Sequence, residues 1–388
     1  MGKKVRYFIC GSVGKWDEYN PIKVTREEIV SETVYILNRE PLTISQISDA
    51  IKKDEATVKK IIDSLLKANI IREDDGKYWI NFTLYSKEDN KILLDIGKEY
   101  GKQLAHKLME NKTELSNLTD RIRCADFIER NKINFALIGC FALDWYCLEE
   151  LEKYNFLVLY KKQPGNRDYI LKGIELSDTN VIKSLLYCGS NNQTVGEYTF
   201  TSFGGGAVRS SFPNILWQVS TSAFDNIKGS SDLRETFVNV LSLYTEDLLK
   251  DCGRLIESLI VGKETEATNR DALLNLLEKL EYIIKEDGHH KVNIPVFFPE
   301  DKEIINKINS RVAKIVIDFI DPNYSKIRDV LSGIRPTLNK IPFGETFSEV
   351  WHKIFGYCNR FLAEEGFMYD PPETPYNARY LPWITIER

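Results

Sequence analysis

The sequence predicts an α+β protein that is mainly helical, and three observations carry that reading. Apolar residues recur at the three-and-four spacing of a helix face over much of the chain. Two stretches, Ile70 to Phe82 and Phe156 to Phe203, switch instead to extended runs bounded by turn formers. The chain has 388 residues and a formal charge of -5, too long for one compact core, so several domains are expected. At 43% hydrophobic and 28% charged residues the composition is that of an ordinary folded protein, and charge alone names no partner. The seven cysteines are odd in number, scattered and never at C-x-x-C spacing, which points to a reducing cytosol. The most apolar run, Phe135 to Leu143, stops at Asp144, far short of the roughly 20 residues needed to span a bilayer, and the first residues lack a signal-peptide core. A cytoplasmic protein with no membrane partner is the expectation.

Taken in order, Tyr7 to Cys10 reads as a short strand and Gly11 to Pro21 as an extended arm. Thr25, with Glu28 three residues on, is placed to cap a helix through Ile29, Val30, Val34 and Leu37. Thr43 caps the next, whose apolar face is Ile44, Ile47, Ala50 and Ile51. The Lys52-Lys53-Asp54 break turns the chain into a further helix from Glu55. Val58, Ile61, Ile62, Leu65 and Leu66 face its core, and Thr57, Lys59, Lys60, Ser64 and Lys67 lie on the outer face. After Asn69 come Ile70 to Arg72, an Asp74-Asp75-Gly76-Lys77 turn and Tyr78 to Phe82, a hairpin built on the Asp-Gly pair that tight turns prefer.

This block, Val24 to Phe82, resembles the winged helix-turn-helix domains of bacterial transcriptional regulators of the arsenic-repressor and multiple-antibiotic-resistance types. The resemblance implies that Glu55 to Asn69 is a recognition helix and Asp74 to Lys77 a wing tip. It also implies double-stranded DNA as partner, met by Thr57, Lys59, Lys60, Ser64, Lys67 and Lys77. The block departs from the usual basic surface, because Asp54, Glu55, Asp63, Glu73, Asp74 and Asp75 roughly cancel its lysines and arginines. Few phosphate contacts are then available, and a homodimer is expected to be needed for useful affinity. The competing reading is a cytosolic enzyme or interaction scaffold whose winged helix is architectural. The two differ in whether the outer face of Glu55 to Asn69 is free or covered by the rest of the chain.

Four consecutive segments are expected: 1–86 as the winged domain with its arm, 87–134 as a helical linker or dimerisation segment, 135–230 as an α+β domain, and 231–388 as a helical region with an extended tail. Ile92, Ile96, Tyr100, Leu104 and Leu108 form a narrow stripe, which the resemblance assigns to a dimer seam and which packing on the chain itself explains equally. Phe135 to Leu148 reads as a buried helix whose costly Asp144 requires a partner. Phe156 to Tyr160, Tyr169 to Leu176, Ile182 to Cys188 and Glu197 to Phe203 read as an antiparallel meander closed by Gly204-Gly205-Gly206. Pro213 falls in the first turn of the following helix. Ser231 and Thr268 are placed to cap helices, the second running on through Ile283 and Ile284 to Asp287-Gly288. Val292 to Phe298 reads as a connector, and three helices are expected over 301–319, 324–334 and 346–365. Tyr369 to Trp383, with its four prolines, reads as an extended surface strap.

No nucleophile motif, nucleotide fingerprint or metal-ligand spacing occurs, so no catalytic residue, cofactor or metal is expected. His289-His290 reads as a solvated pair on a loop. An effector pocket is expected instead around the middle sheet, lined by Trp145, Tyr187, Tyr198, Phe200, Arg209 and Trp217, with Asp144 and Asn191 as further polar groups. Ordinary core packing is the alternative for the aromatics. Together these features predict a DNA-binding transcriptional regulator with a C-terminal effector-sensing or oligomerising region.

Overall fold

A computed structural model describes residues 4–14, 17–176, 186–206, 209–216, 218–219, 231–262 and 270–387. The chain is α+β and mainly helical, and it divides into two compact units that are not the four consecutive segments expected. The first comprises Met1–Gly101, Cys147–Thr179 and Val316–Ile354; the second comprises Lys102–Tyr146, Asn180–Ile315 and Phe355–Arg388.

In the first unit the strands are β1 (Val5–Ser12), β2 (Ile71–Asp74), β3 (Lys77–Ile80), β4 (Thr83–Tyr85), β5 (Lys162–Gln163) and β6 (Arg167–Glu175). The last is central, antiparallel to β1 and β5 and parallel to β4. Gly11, at φ +110°, permits the close approach of β1, since a Cβ there would lie 2.4 Å from the Asp168 carbonyl oxygen. Beside this sheet, the helices Glu28–Leu37, Ile44–Ile51 and Glu55–Lys67 and the β2–β3 hairpin enclose one core of Val34, Leu37, Ile47, Val58, Ile62, Leu65, Ile71 and Ile80. Thr25 is not the cap of the first of these. Its hydroxyl donates to the Pro21 carbonyl of a preceding helical turn, and Glu27 occupies the cap position without a side-chain bond. The helix Phe343–Glu364 is tied to the sheet by charge: buried Lys172 on β6 donates to Ser348 Oγ (3.2 Å) and pairs with Glu349 (3.4 Å).

In the second unit the strands are β7 (Gly189–Val195), β8 (Tyr198–Gly205), β9 (Ile283–Glu286), β10 (His289–Val292), β11 (Val296–Phe297) and β12 (Arg379–Ile386). Here β12 is central, parallel to β11 and antiparallel to β8, which pairs with β7. The expected meander is therefore wrong. Strand β6 belongs to the other sheet, Phe156 to Tyr160 is not a strand, and 182–185 lie outside the described residues. The proline-rich tail is no surface strap either, because Trp383 and Ile384 on β12 are buried. A strand tolerates Pro382 there because β11 reaches only Ile384 and Thr385, leaving Pro382 with β8 as its neighbour. The second predicted cap, Thr268, lies outside the described residues. Its helix ends at Lys279, and Ile283 and Ile284 open a strand instead, so His289 and His290 stand on β10 rather than a loop. Residues 302–330 form one helix that carries Pro322 inside it.

The two units are built on one plan. Each has a central strand with a short parallel neighbour on one side (β4 or β11) and an antiparallel one on the other (β1 or β8). Gly204, at φ +148°, repeats the role of Gly11, with a Cβ position 2.2 Å from the Arg379 carbonyl oxygen. The buried carboxylate of Asp89 accepts from the backbone N–H groups of Ser86 (2.8 Å) and Arg335 (3.2 Å). That of Asp301 accepts from those of Phe298 (2.8 Å) and Arg123 (2.9 Å). One sequence separation relates Ser86 to Phe298, Asp89 to Asp301 and Arg123 to Arg335. The chain is thus an internal duplication whose halves exchange helices, since Arg335 comes from the second half into the first unit and Arg123 from the first half into the second.

The stripe on the helix Lys87–Glu110 is spent inside the chain. Ile96, Tyr100, Leu104 and Leu108 are all buried, and Tyr100 meets Phe319 edge-on at 6.3 Å between ring centroids. No dimer seam is available there.

Candidate nucleic-acid interface

Local sequence fixes the entry to the helix Glu55–Lys67. Thr43 and Gln46 close a reciprocal capping box on the helix before it, and Lys52 adopts the left-handed conformation (φ 55°) that ends that helix and starts the turn. Asp54 then caps the next helix, accepting from Thr57 N (2.9 Å) and Thr57 Oγ1 (2.7 Å). The Thr57 hydroxyl, and after it the Thr57 backbone N–H, hold the Asp54 carboxyl below its ordinary range. Thr57, predicted to meet DNA, is therefore engaged in the cap.

The buried face of the helix is Val58, Ile61, Ile62 and Leu65, as the periodicity requires. On the opposite face Lys59, Lys60, Asp63 and Lys67 are exposed and Ser64 is half-buried. No segment of the described chain covers the four exposed side chains. Asp75 and Gly76, both at positive φ, form the hairpin turn between β2 and β3, and Lys77 stands exposed beside it.

One flank of this hairpin is held by a segment that the sequence gives no reason to place there. Arg72 on β2 donates to the carbonyl oxygens of Ile80 (2.7 Å) and Asn339 (2.7 Å), and its guanidinium lies over the Trp79 ring. The Lys340 ammonium stands 4.6 Å from the centroid of the same ring. The hairpin is consequently fixed in orientation by residues far along the chain, with its Asp75-Gly76 tip left exposed.

The residues expected to line an effector pocket do not converge as a group. Trp145 and Asp144 meet at Ser190, whose hydroxyl accepts from Trp145 Nε1 (3.2 Å) and donates to Asp144 Oδ2 (3.0 Å). Buried Arg209 spends its guanidinium on the carbonyl oxygens of Ser202 (3.0 Å) and Gly204 (2.9 Å), and burial pushes its pKa down to about 10. Tyr187 packs on Phe135 and shares Asp370 with Arg360. Tyr198 and Phe200 lie in the core with Phe212 and Tyr282, so packing explains them. Asn191 is exposed on β7. Trp217 lies outside the described residues. Among the described residues no group of His, Cys, Asp and Glu is arranged to hold a metal ion, and no helix is long and apolar enough to cross a membrane.

Compared with known proteins, the chain matches no protein-family model, and no curated protein or solved structure matches it significantly.

Proposed function

We propose that the block Val24 to Phe82 is a winged helix-turn-helix that reads duplex DNA, and that the protein is a transcriptional regulator. One observation carries the reading: among the described residues the outer face of Glu55–Lys67 is uncovered, and it presents Lys59, Lys60 and Lys67. A scaffolding role would bury that face, whereas a helix entering a major groove needs it free. The acidic Glu73, Asp74 and Asp75 on the hairpin leave Lys77 as its one cation at the turn, so phosphate contact falls mainly to the helix. The test is a titration of duplex fragments with the Lys59→Ala/Lys60→Ala double variant over a range of salt. Two lost phosphate contacts should weaken binding on every fragment and flatten the slope of log K against log salt by about 2. An unchanged slope would reject the assignment.

A further inference from the structure

The duplication described above extends to the helix and hairpin themselves. In the first unit Asn69 (φ 56°) follows the helix, Ile70 N donates to Leu65 O (2.9 Å) and Asn81 N donates to Ile70 O (2.9 Å). In the second, Glu281 (φ 61°) follows the helix Arg270–Lys279, Tyr282 N donates to Leu277 O (2.9 Å) and Asn293 N donates to Tyr282 O (2.9 Å). Even the side-chain bond that closes the hairpin recurs, from Asn81 Nδ2 to Asn69 O (3.3 Å) and from Asn293 Nδ2 to Glu281 O (3.2 Å). Asp75-Gly76 is matched by Asp287-Gly288, each pair at positive φ. The separation that relates Asp89 to Asp301 also carries Ile61 to Leu273, Ile62 to Leu274, Leu65 to Leu277, Ile71 to Ile283 and Ile80 to Val292, and all ten are buried. The preceding helix also stops at a residue of positive φ, Gly262 (φ 69°), as the first stops at Lys52 (φ 55°).

We propose that Arg270–Lys279 and the β9–β10 hairpin form a second DNA-reading head, so that one chain supplies two unlike heads to a duplex. The proposal rests on the DNA-reading assignment of the first head. Among the described residues its outer face is likewise uncovered: Asp271, Ala272, Asn275 and Lys279 are exposed at the positions equivalent to Lys59, Lys60, Asp63 and Lys67. The heads therefore differ in chemistry. The first offers two additional ammonium groups for phosphates. The second replaces them with Asp271 and Ala272, and where the first has Asp63 it presents an amide, Asn275, able to pair in bidentate fashion with the N6 and N7 edge of adenine. At the hairpin tip His289 stands where the first head has Lys77. Affinity then comes chiefly from the first head and base discrimination in a separate tract from the second, on an operator whose two tracts are not inverted copies.

The experiment uses the full chain and duplex fragments selected from random sequence, with hydroxyl-radical footprinting and mass measurement of the complex. Wild type should bind as one chain per duplex and protect two tracts. Asn275→Ala, at an exposed position that leaves the fold intact, should lose preference at a single base pair of one tract, on the order of tenfold, with the other tract unchanged. Lys279→Ala should weaken all fragments and lower the salt slope by about 1. A single protected tract that ignores Asn275→Ala and Lys279→Ala while responding to Lys59→Ala/Lys60→Ala would overturn the second head and leave the first standing. Two chains per duplex, each protecting one tract, would also overturn it. Failure of wild type to bind any duplex would reject both heads together.

Discussion

Replacing Asp301 by alanine tests how the second unit is held. The carboxylate is buried and accepts two backbone N–H groups, from Phe298 at the start of the long helix and from Arg123 in the segment contributed by the first half of the chain. Hydrogen bonds to a charged acceptor contribute roughly 1.5–3 kcal/mol each, and an orphaned buried N–H costs about 1–3 kcal/mol. The Arg123 amide is only partly enclosed, so water can take over some of its loss. The net cost of Asp301→Ala should then be about 3 kcal/mol. Asp301→Asn keeps one acceptor oxygen but turns an amide N–H toward the other donor, so it should lose about half as much. Because two units need not unfold in one step, the assay pairs urea denaturation with hydrogen exchange read at peptides covering Phe298 and Arg123. Asp89→Ala, the equivalent change in the first unit, should cost the same within about 1 kcal/mol and raise exchange at Ser86 and Arg335 instead. A cost below about 1 kcal/mol for Asp301→Ala, or an Asn variant no better than the Ala one, would refute the reasoning.

Two further expectations follow from burial. Leu104→Glu places an unpaired charge at a position with no solvent exposure, so it should unfold the protein rather than yield a folded species of lower mass, as light scattering beside circular dichroism will show. The half-buried imidazole of His352 is held at about 4 by burial and by the neighbouring Lys172 ammonium, with Glu349 and the Ser348 carbonyl acting in the opposite sense. The unfolded chain therefore takes up this proton first as pH falls. Stability contributed by neutral His352 is complete above its ordinary value of 6.5 and is lost as pH drops from there toward about 4. Melting temperatures of His352→Gln should lack this part of the acid dependence that wild type shows.

The helices Ile44–Ile51 and Glu55–Lys67 were legible because caps, periodicity and an Asp-Gly turn agree over a short span of chain. Their duplicate was not, although its buried positions are as apolar. Leu280, Ile283 and Ile284 continue a three-and-four spacing past Lys279, which disguises the end of the helix, and two of the three lysines that mark the first outer face are replaced in the second, by Asp271 and Ala272. Strand β12 is hidden by Pro382 and the three prolines ahead of it, since only the pairing partners reveal that Pro382 sits beyond the reach of β11. Pairing between β1 and β6, or between β8 and β12, joins residues so distant in sequence that no local pattern specifies it. The stripe Ile96 to Leu108 is apolar in the sequence and buried in the fold. What covers an apolar stripe is decided by topology, and here Tyr100 is met by Phe319 of the helix Lys302–Val330.

The duplication also accounts for the wide helical turns of Phe135–Tyr146, a π-helix of 12 residues. In the second half the equivalent run Phe343–Glu364 is regular α-helix of 22 residues. It opens with Glu345 N donating to Pro342 O and is followed by Phe367 N donating to Leu362 O. The first half has the same opening and closing bonds, Lys132 N to Glu129 O and Phe156 N to Leu151 O. Between them it runs through 5 residues of α-helix, the 12 of π-helix and 7 more of α-helix, in excess of the 22 that suffice in the other half. Extra residues between two fixed ends must be absorbed, and a helix absorbs them by widening its turns. Deleting Ala142, a small buried residue within the wide turns, should let one turn tighten while both ends keep their partners. Deleting Ala313 from the regular helix Lys302–Val330 has no such slack and rotates every later side chain off its contacts. Thermal melts of the two variants should show the first folded with a lowered midpoint and the second unfolded. If both deletions unfold the protein alike, the π-helix is not the record of an insertion.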